Sequence, residues 1–458
     1  MSSSENAYLS VLRELEQRGS YETTAKFRDI SKLSGIKQLL ADLGEPQKAA
    51  KIIHIAGTTG KGLTGAMLAR IFEKEGFITG LYSSPHVLDI RERIVLNGQL
   101  VSKESFTRNA SRVLKQAETY SGRIYLSYFD ILTAIAFLVF QEAQAQWIVL
   151  ETGLGGSADS TNVTEKELCI LTTIGYDHIN VLGNSLEAIA QEKLGIVRKG
   201  IPTVLATQAK ELMTWLKKQL ELSGSPPVCA EELSVERVQD HFQFRWPSGE
   251  IDLFPLPKQQ SSIPYLECLK TALMAYTTLN PKVSGSGQRR NWIEAATSFR
   301  LPGRLEYHEK LLWQENLPPF ATVIFDGGHN AIALQALSRQ LQIWQITNYT
   351  LVLGFADDKL IEALKVPLQE LCRNAHHIVA TQALSVRAAS PQKLTDFIFS
   401  ACRSLQAPPL IKSIPRVADV LEHLHQRHHE PIVVSGSFYL VGEIFQALGC
   451  EACIFTED

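Results

Sequence analysis

Residues 51–82 read KIIHIAGTTGKGLTGAMLARIFEKEGFITGLY, and the order of apolar and glycine residues here decides the fold class. Lys51-Ile-Ile-His-Ile-Ala-Gly57 is a short apolar run closed by glycine, the pattern of a buried strand entering a turn. Leu63, Met67, Leu68, Ile71 and Phe72 then share one face of a helix. Gly76 stops that helix, and Phe77 to Tyr82 form a second short strand. A β-loop-α-β unit of this kind seeds a parallel sheet.

Between strand and helix lies Gly57-Thr58-Thr59-Gly60-Lys61-Gly62-Leu63-Thr64. Glycines let backbone N–H groups turn inward around an anion, and the helix start adds its dipole. Lys61 would reach the outer phosphates of a nucleotide. The general P-loop places a Ser or Thr directly after its lysine to hold Mg²⁺; here Gly62 follows Lys61, so that pattern is incomplete. The competing reading is a glycine turn that binds nothing.

The alternation continues through strands at Trp147–Glu151, Cys169–Ile174 and Thr203–Ala206, a helix at Leu186–Val197, and shorter β-like runs such as Phe242–Trp246. Residues 281–290, polar and glycine-rich, read as a linker. A second block follows, with strands at Thr322–Phe325, Tyr349–Leu353, His377–Ala380 and Ile432–Ser435 and a helix near Ala331–Trp344. Two α/β domains are expected: an N-terminal P-loop ATPase domain with a mostly parallel sheet over residues 1–300, and a smaller Rossmann-like domain over 301–458.

A series of motifs runs in order along about residues 20–445. HIAGTTGKG opens it, followed by Ser83-Ser84-Pro85-His86 with Arg91-Glu92-Arg93-Ile94, Glu151-Thr-Gly-Leu-Gly-Gly-Ser-Ala-Asp-Ser-Thr-Asn-Val163 and Thr173-Ile-Gly-Tyr-Asp177-His178. Glu192-Lys193-Leu-Gly-Ile196, Pro302-Gly-Arg304-Leu-Glu306, Asp326-Gly-Gly-His329-Asn330 and Gly436-Ser-Phe-Tyr-Leu-Val-Gly-Glu443 complete it. The chain thereby resembles the folylpolyglutamate synthase/dihydrofolate synthase family, a branch of the Mur ligases. The resemblance implies an ATP-dependent ligase that activates a pterin- or folate-type carboxylate as an acyl phosphate and joins it to L-glutamate.

It also implies site residues. Gly57, Thr58, Thr59, Gly60, Lys61, Gly62 and Thr64 would cradle ATP, with Arg304 and Asp326 meeting it from the second domain. Ser84, Glu151 and His178 would hold Mg²⁺, with K⁺ as a further cation; oxygen and imidazole ligands suit such a metal. Lys193 matches a lysine carbamylated in the family, and Lys61, Lys193, Asp326 and His329 would carry the catalysis. Plainer alternatives stand beside these: a strand-end cap for Glu151, a loop histidine for His178, a surface lysine for Lys193, an interdomain salt bridge for Arg304, and a turn cap for Asp326 and His329. Tyr128-Phe129-Asp130 would either contact substrate or cap a helix.

The chain departs from the family pattern at Thr59 (usually Asn), Leu63 (usually Ser), Ser157 (usually Arg) and in Ser262–Lys270, where Pro264, Tyr265 and Cys268 replace an H-Q-x-x-N. Those departures keep two other readings open: a ligase for a non-folate acceptor, and a degenerate binding or regulatory protein on the same scaffold.

Composition sets the remaining expectations. A formal charge of -3 provides no field for nucleic acid or a membrane surface. The start MSSSENAYLS lacks a signal-peptide pattern, and Ile131–Phe140 is about half of a membrane span. Seven scattered Cys argue against a disulfide framework; Cys450 and Cys453 form a lone CxxC, and His425, His428 and His429 read as a polar helix end. A cytoplasmic protein is expected, and the family resemblance implies a monomer acting on small-molecule substrates.

Overall fold

The computed structural model describes residues 3–17, 33–120, 123–256, 260, 262–281, 285–299, 301–313 and 317–449. Cys450 and Cys453 lie outside them. The first sheet has eight strands: β1 (Lys51–Ala56), β2 (Thr79–Tyr82), β3 (Ile94–Leu96), β4 (Gln99–Leu100), β5 (Trp147–Glu151), β6 (Leu168–Leu171), β7 (Thr203–Leu205) and β8 (Pro227–Cys229). Their spatial order is β4-β3-β2-β5-β1-β6-β7-β8. All adjacent pairs are parallel except β2 with β3 and β3 with β4. β1 and β5 are almost wholly buried, which is why both read as continuous apolar runs. The chain leaves β1 first toward β5 and β2, and later toward β6. The carboxyl end of β1 is therefore a switch point, where open α/β sheets form ligand crevices.

A three-stranded antiparallel sheet follows, β9 (Ser234–Val238), β10 (His241–Arg245) and β11 (Ile251–Phe254). The third sheet comprises β12 (Glu306–Leu311), β13 (Phe320–Asp326), β14 (Tyr349–Leu353), β15 (Ala375–Ala380), β16 (Leu410–Ser413) and β17 (Pro431–Ser435), in the order β12-β13-β17-β14-β15-β16. It is parallel except for β12.

Helices cover both faces of the large sheets. Lys61–Lys74 packs on Ile263–Leu279 and Ser286–Thr297, with Met67, Phe72, Tyr276 and Trp292 in one core. On the other face Tyr128–Glu142 and Lys103–Glu118 enclose a second core around Phe106 and Phe137. Ile131–Phe140 is therefore a buried helix interior. Among the described residues no helix is long and apolar enough to cross a membrane.

Three expectations change. The expected linker at 281–290 contains the start of the helix Ser286–Thr297. Its buried Trp292, Ile293 and Ala296 anchor it, and the Trp292 indole donates to Glu75 at 2.8 Å. The strand expected over 169–174 ends at Leu171, because the chain then turns across the glycine loop, where Thr58 and Thr59 donate to the Thr173 carbonyl. The helix expected over 186–197 ends at Leu194.

The two large sheets meet through loops. Val87 and Leu88, after β2, pack against the core formed by Val323, Val441 and Phe445. Gly442 is seated so closely on this loop that a Cβ there would lie 2.1 Å from the Val87 carbonyl oxygen. Gly442→Ala is expected to cost about 1–3 kcal/mol by overpacking against backbone, read as a lowered midpoint in chemical denaturation. An unchanged midpoint would mean that the seat relaxes freely.

Candidate active site at the junction of the two sheets

The loop after β1 owes its shape to glycine. Gly60 has φ 90° and caps the helix Lys61–Lys74, a conformation glycine adopts without strain. The N–H groups of Thr58 and Thr59 are committed to Thr173. The first turn of the helix, from Lys61 onward, holds the N–H groups that a helix leaves without internal partners. Gly62 is constrained from outside: a Cβ would sit 3.2 Å from Arg304 Nη2 and 3.3 Å from Glu151 Oε2. A side chain after the lysine would therefore press on the two charged side chains that close over this position.

Glu151 ends β5 with its side chain buried. Its Oε2 accepts the Ser84 N–H at 3.1 Å, and Lys61 Nζ lies 3.7 Å from Oε1. Burial raises its pKa, against the pull of Lys61 and Arg304. Lys193, on Leu186–Leu194, is buried and donates to the Gly57 carbonyl at 2.7 Å. Burial, reinforced by Lys61, brings its pKa down to about 7. It is thus not a surface lysine.

Asp177 is the electrostatic centre of the junction. It pairs with Lys359 and faces His178 Nε2 at 3.7 Å and His329 Nε2 at 3.9 Å, and Asn330 donates to it at 3.4 Å. Burial alone would raise its pKa, but Lys359, His178 and His329 hold it far below the usual carboxylate range. His178 takes a left-handed φ of 49°; burial lowers its pKa to about 3. His329 is also lowered by burial and by Lys359, and its Nδ1 contacts the Gly327 carbonyl at 3.0 Å.

Asp326, at the end of β13, accepts N–H bonds from Leu305 (3.0 Å) and Gly328 (2.9 Å), and burial lifts its pKa to about 6. It holds the two turns that present Arg304 and His329. Arg304 stacks on Phe438, 4.8 Å from the ring centre.

These groups surround one cavity of about 340 Å³. Gly57, Thr58, Thr59, Gly60, Lys61, Gly62, Ser84, Glu151, His178, Lys193, Arg304, Asp326 and His329 all line it. Thr64 does not belong to that lining; it is fully buried behind the loop. Leu63 and Cys268 line the cavity, and Cys268 Sγ lies 3.7 Å from the Gly60 carbonyl oxygen. Ser157 instead ties the adjoining loop to the helix of Lys193, its N–H and Oγ both donating to the Glu192 carbonyl. Asp130 caps its helix through Ser127 and accepts from Ser160. Among the described residues no three His, Cys, Asp or Glu side chains form a ready-made metal cage.

Sequence reasoning did not single out Lys359, Asn330 or Phe438 as site residues. Asp177 stood inside a quoted motif without a role, and its partner lies 182 residues away.

Asp177→Asn would leave the Lys359 ammonium buried without its counter-charge. A loss of about 3 kcal/mol in denaturant-measured stability is expected near neutral pH. The carboxylate's folded pKa is depressed, so its stabilising contribution is complete above the unfolded value of ~3.9 and is lost as pH falls through the lower folded value. Wild type and variant should therefore converge in strong acid. Equal stabilities at pH 7 would sink the pairing.

A sequence profile of the dihydrofolate synthetase C-terminal domain matches residues 309–447. The dihydrofolate synthase/folylpolyglutamate synthase of Bacillus subtilis (strain 168) is 30% identical over 430 residues, covering 91% of this chain and 94% of that protein. The Mycobacterium tuberculosis folylpolyglutamate synthase complexed with ADP superposes with a TM-score of 0.83 at 23% identity, covering 98% of this chain and 100% of that one. A bifunctional folylpolyglutamate synthase/dihydrofolate synthase with Mn, AMPPNP and L-glutamate bound gives a TM-score of 0.76 at 25% identity, covering 96% and 98%. The phosphate-type loop, the crevice at the switch point and a relative matched over nearly its whole length lead to one assignment: the chain belongs to the dihydrofolate synthase/folylpolyglutamate synthase family.

Proposed function

We propose that this protein is an ATP-dependent ligase joining a pterin- or folate-type carboxylate to the amine of L-glutamate. The carboxylate oxygen takes the γ-phosphoryl group of ATP, releasing ADP. The amine nitrogen then bonds to the acyl carbon, phosphate leaves, and the amine gives up its proton. One observation carries the reading: Lys61 and the helix start on one sheet and Arg304 on the other converge on a single cavity. Phosphoryl transfer needs positioning and charge neutralisation more than covalent help, and this arrangement supplies both from two bodies.

Within this reading residues 1–300 form the nucleotide-binding domain and 301–458 the domain that completes the site. Lys61 and Arg304 neutralise phosphate charge. Ser84, Glu151 and His178 would hold Mg²⁺: a buried carboxylate, a hydroxyl and an imidazole are a fitting donor set, with substrate phosphates as the usual remaining ligands. The bound cation would supply further neutralisation at the phosphates. Leu63 offers no hydroxyl and Thr64 is buried away, which leaves the oxygen role to Ser84. Asp326 acts by holding the turns, and His329, kept neutral, is in the form that accepts a proton from the incoming ammonium. The depressed pKa of Lys193 supports its carbamylation: the neutral amine bonds to the carbon of CO₂ and loses a proton. K⁺ and a monomeric state enter from the resemblance, and a cytoplasmic location from the composition.

Lys61→Ala should lower glutamate-dependent ADP release by at least about a hundredfold, assayed separately with dihydropteroate and tetrahydrofolate. Retained turnover would remove the phosphate role from Lys61. A wild type inactive with every pterin acceptor would point to another acceptor or to a binding protein on this scaffold. For Lys193, ¹³CO₂ should give a carbamate carbonyl resonance that grows as pH rises through about 7 and is missing in Lys193→Arg; a spectrum identical in both proteins would end that assignment.

A further inference from the structure

Lys193 meets the Gly57 carbonyl from the last turn of the helix Leu186–Leu194. Its place in the cavity is therefore decided by whatever holds the chain around that turn. The loop after β5 supplies one hold. Ser157 N–H and Oγ both donate to the Glu192 carbonyl, and a Cβ on Gly195 would lie 2.0 Å from Ser157 Oγ. A second hold comes from Asn162, Lys166 and Arg198, none of which lines the cavity.

Asn162 and Lys166 are buried. Asn162 Nδ2 donates to the Ser157 carbonyl at 3.1 Å and to the Gly195 carbonyl at 3.0 Å. Its Oδ1 accepts from Lys166 Nζ at 2.6 Å and from Arg198 Nη2 at 2.8 Å. Two N–H donors meet two carbonyls and two lone pairs meet two donors, so the amide's capacity is filled. Lys166 also donates to the Ile196 carbonyl at 3.1 Å, and Arg198 Nη1 to the Gly195 and Val197 carbonyls at 2.9 Å each. The three carbonyls from 195 to 197 thus all end on this set. Two cationic groups share one neutral oxygen, and burial together with Arg198 brings Lys166 down to about 7. Like charges gathered inside a protein are unfavourable, and local conflicts of that kind concentrate at functional sites.

We infer that Asn162 is a positioning residue for Lys193, acting with Lys166 and Arg198. The amide ties Ser157 to Gly195, two positions beyond the lysine, while the two cations hold residues 195–197. The turn is thereby fixed against the loop that carries Gly153 and Gly155 into the cavity. Displacement of the turn would move the Lys193 amine off Gly57, and small misplacements of a group at the reacting centre lower the rate steeply. Asn162 lies outside the cavity lining, so nucleotide affinity does not depend on it directly. The inference rests on the part given to Lys193 in the ligase reading above.

Competitive acetylation of the full chain, with each lysine read by mass spectrometry, tests it in wild type, Asn162→Ala and Arg198→Met. Lys193 and Lys359 are both buried, on different elements, so a loosened fold exposes both. Lys193 labelling should rise about tenfold in both variants, the worth of one hydrogen bond, with Lys359 unchanged. The kcat should fall at least about tenfold, while the KM for MgATP stays within about twofold. Arg198→Met leaves the amide in place and carries the test if Asn162→Ala does not fold. Labelling that rises at both lysines together, or at neither, overturns the positioning role. Selective exposure of Lys193 with kcat unchanged upholds the positioning and removes Lys193 from the catalysis, so the two failures read differently.

Discussion

One buried carboxylate organises the junction. Asp177 stands at the carboxyl end of the first sheet, yet Lys359, His329 and Asn330 reach it from loops of the third. In a poorly hydrated setting an unpaired charge is costly, and removing one partner strands the other. The two sheets therefore meet in a register that keeps this charge compensated. Lys61, Arg304, Glu151 and His329 come to line a common space because that register holds. The pair adds little net stability over an apolar contact of the same size; its effect is on orientation.

Much of the fold was legible because buried parallel strands leave a plain mark. Ile52, Ile53, Ile55 and Ala56 in β1 and Trp147 to Leu150 in β5 make near-continuous apolar runs, and both are central strands. The loop chemistry was legible for the same reason, since Gly60 and Lys61 stand where a strand gives way to a helix. Less could be read where long-range packing decides. The helix at 286–297 opens in a polar stretch and is fixed by Trp292 reaching Glu75 from 217 positions away. Strands β3, β4, β12 and β16 are short or lie at or near sheet edges, with too little periodicity to stand out. Lys359 could not be assigned from sequence, because an Asp-Asp-Lys turn is ordinary until its partner is known.

Several motif residues serve geometry more than chemistry. Glu92 accepts the N–H groups of Val87, Leu88 and Asp89 at 2.6–2.9 Å and so clamps the loop that carries Ser84. Asp159 does the same for the loop after β5, accepting from Leu154 and Thr161. Gly156 admits the backbone of Glu192 and Lys193 at distances a Cβ would not allow. Carboxylates that accept several backbone N–H groups are strong local fasteners. Glu92, Gly156 and Asp159 thus serve the site although none of them lines the cavity.

The seat of Gly442 on Val87 has a mechanical consequence. The Val87 carbonyl belongs to a loop fastened at one side by Glu92, while Ser84, three residues earlier, is tied to Glu151. The helix Phe438–Ala447 rests on that loop without a cushioning side chain. Displacement at Ser84 is therefore passed to the helix with little slack, and tilting of the helix is passed back. Thermodynamic linkage makes such a coupling symmetric. A shift of Ser84 and a tilt of this helix are thus one displacement seen from its two ends.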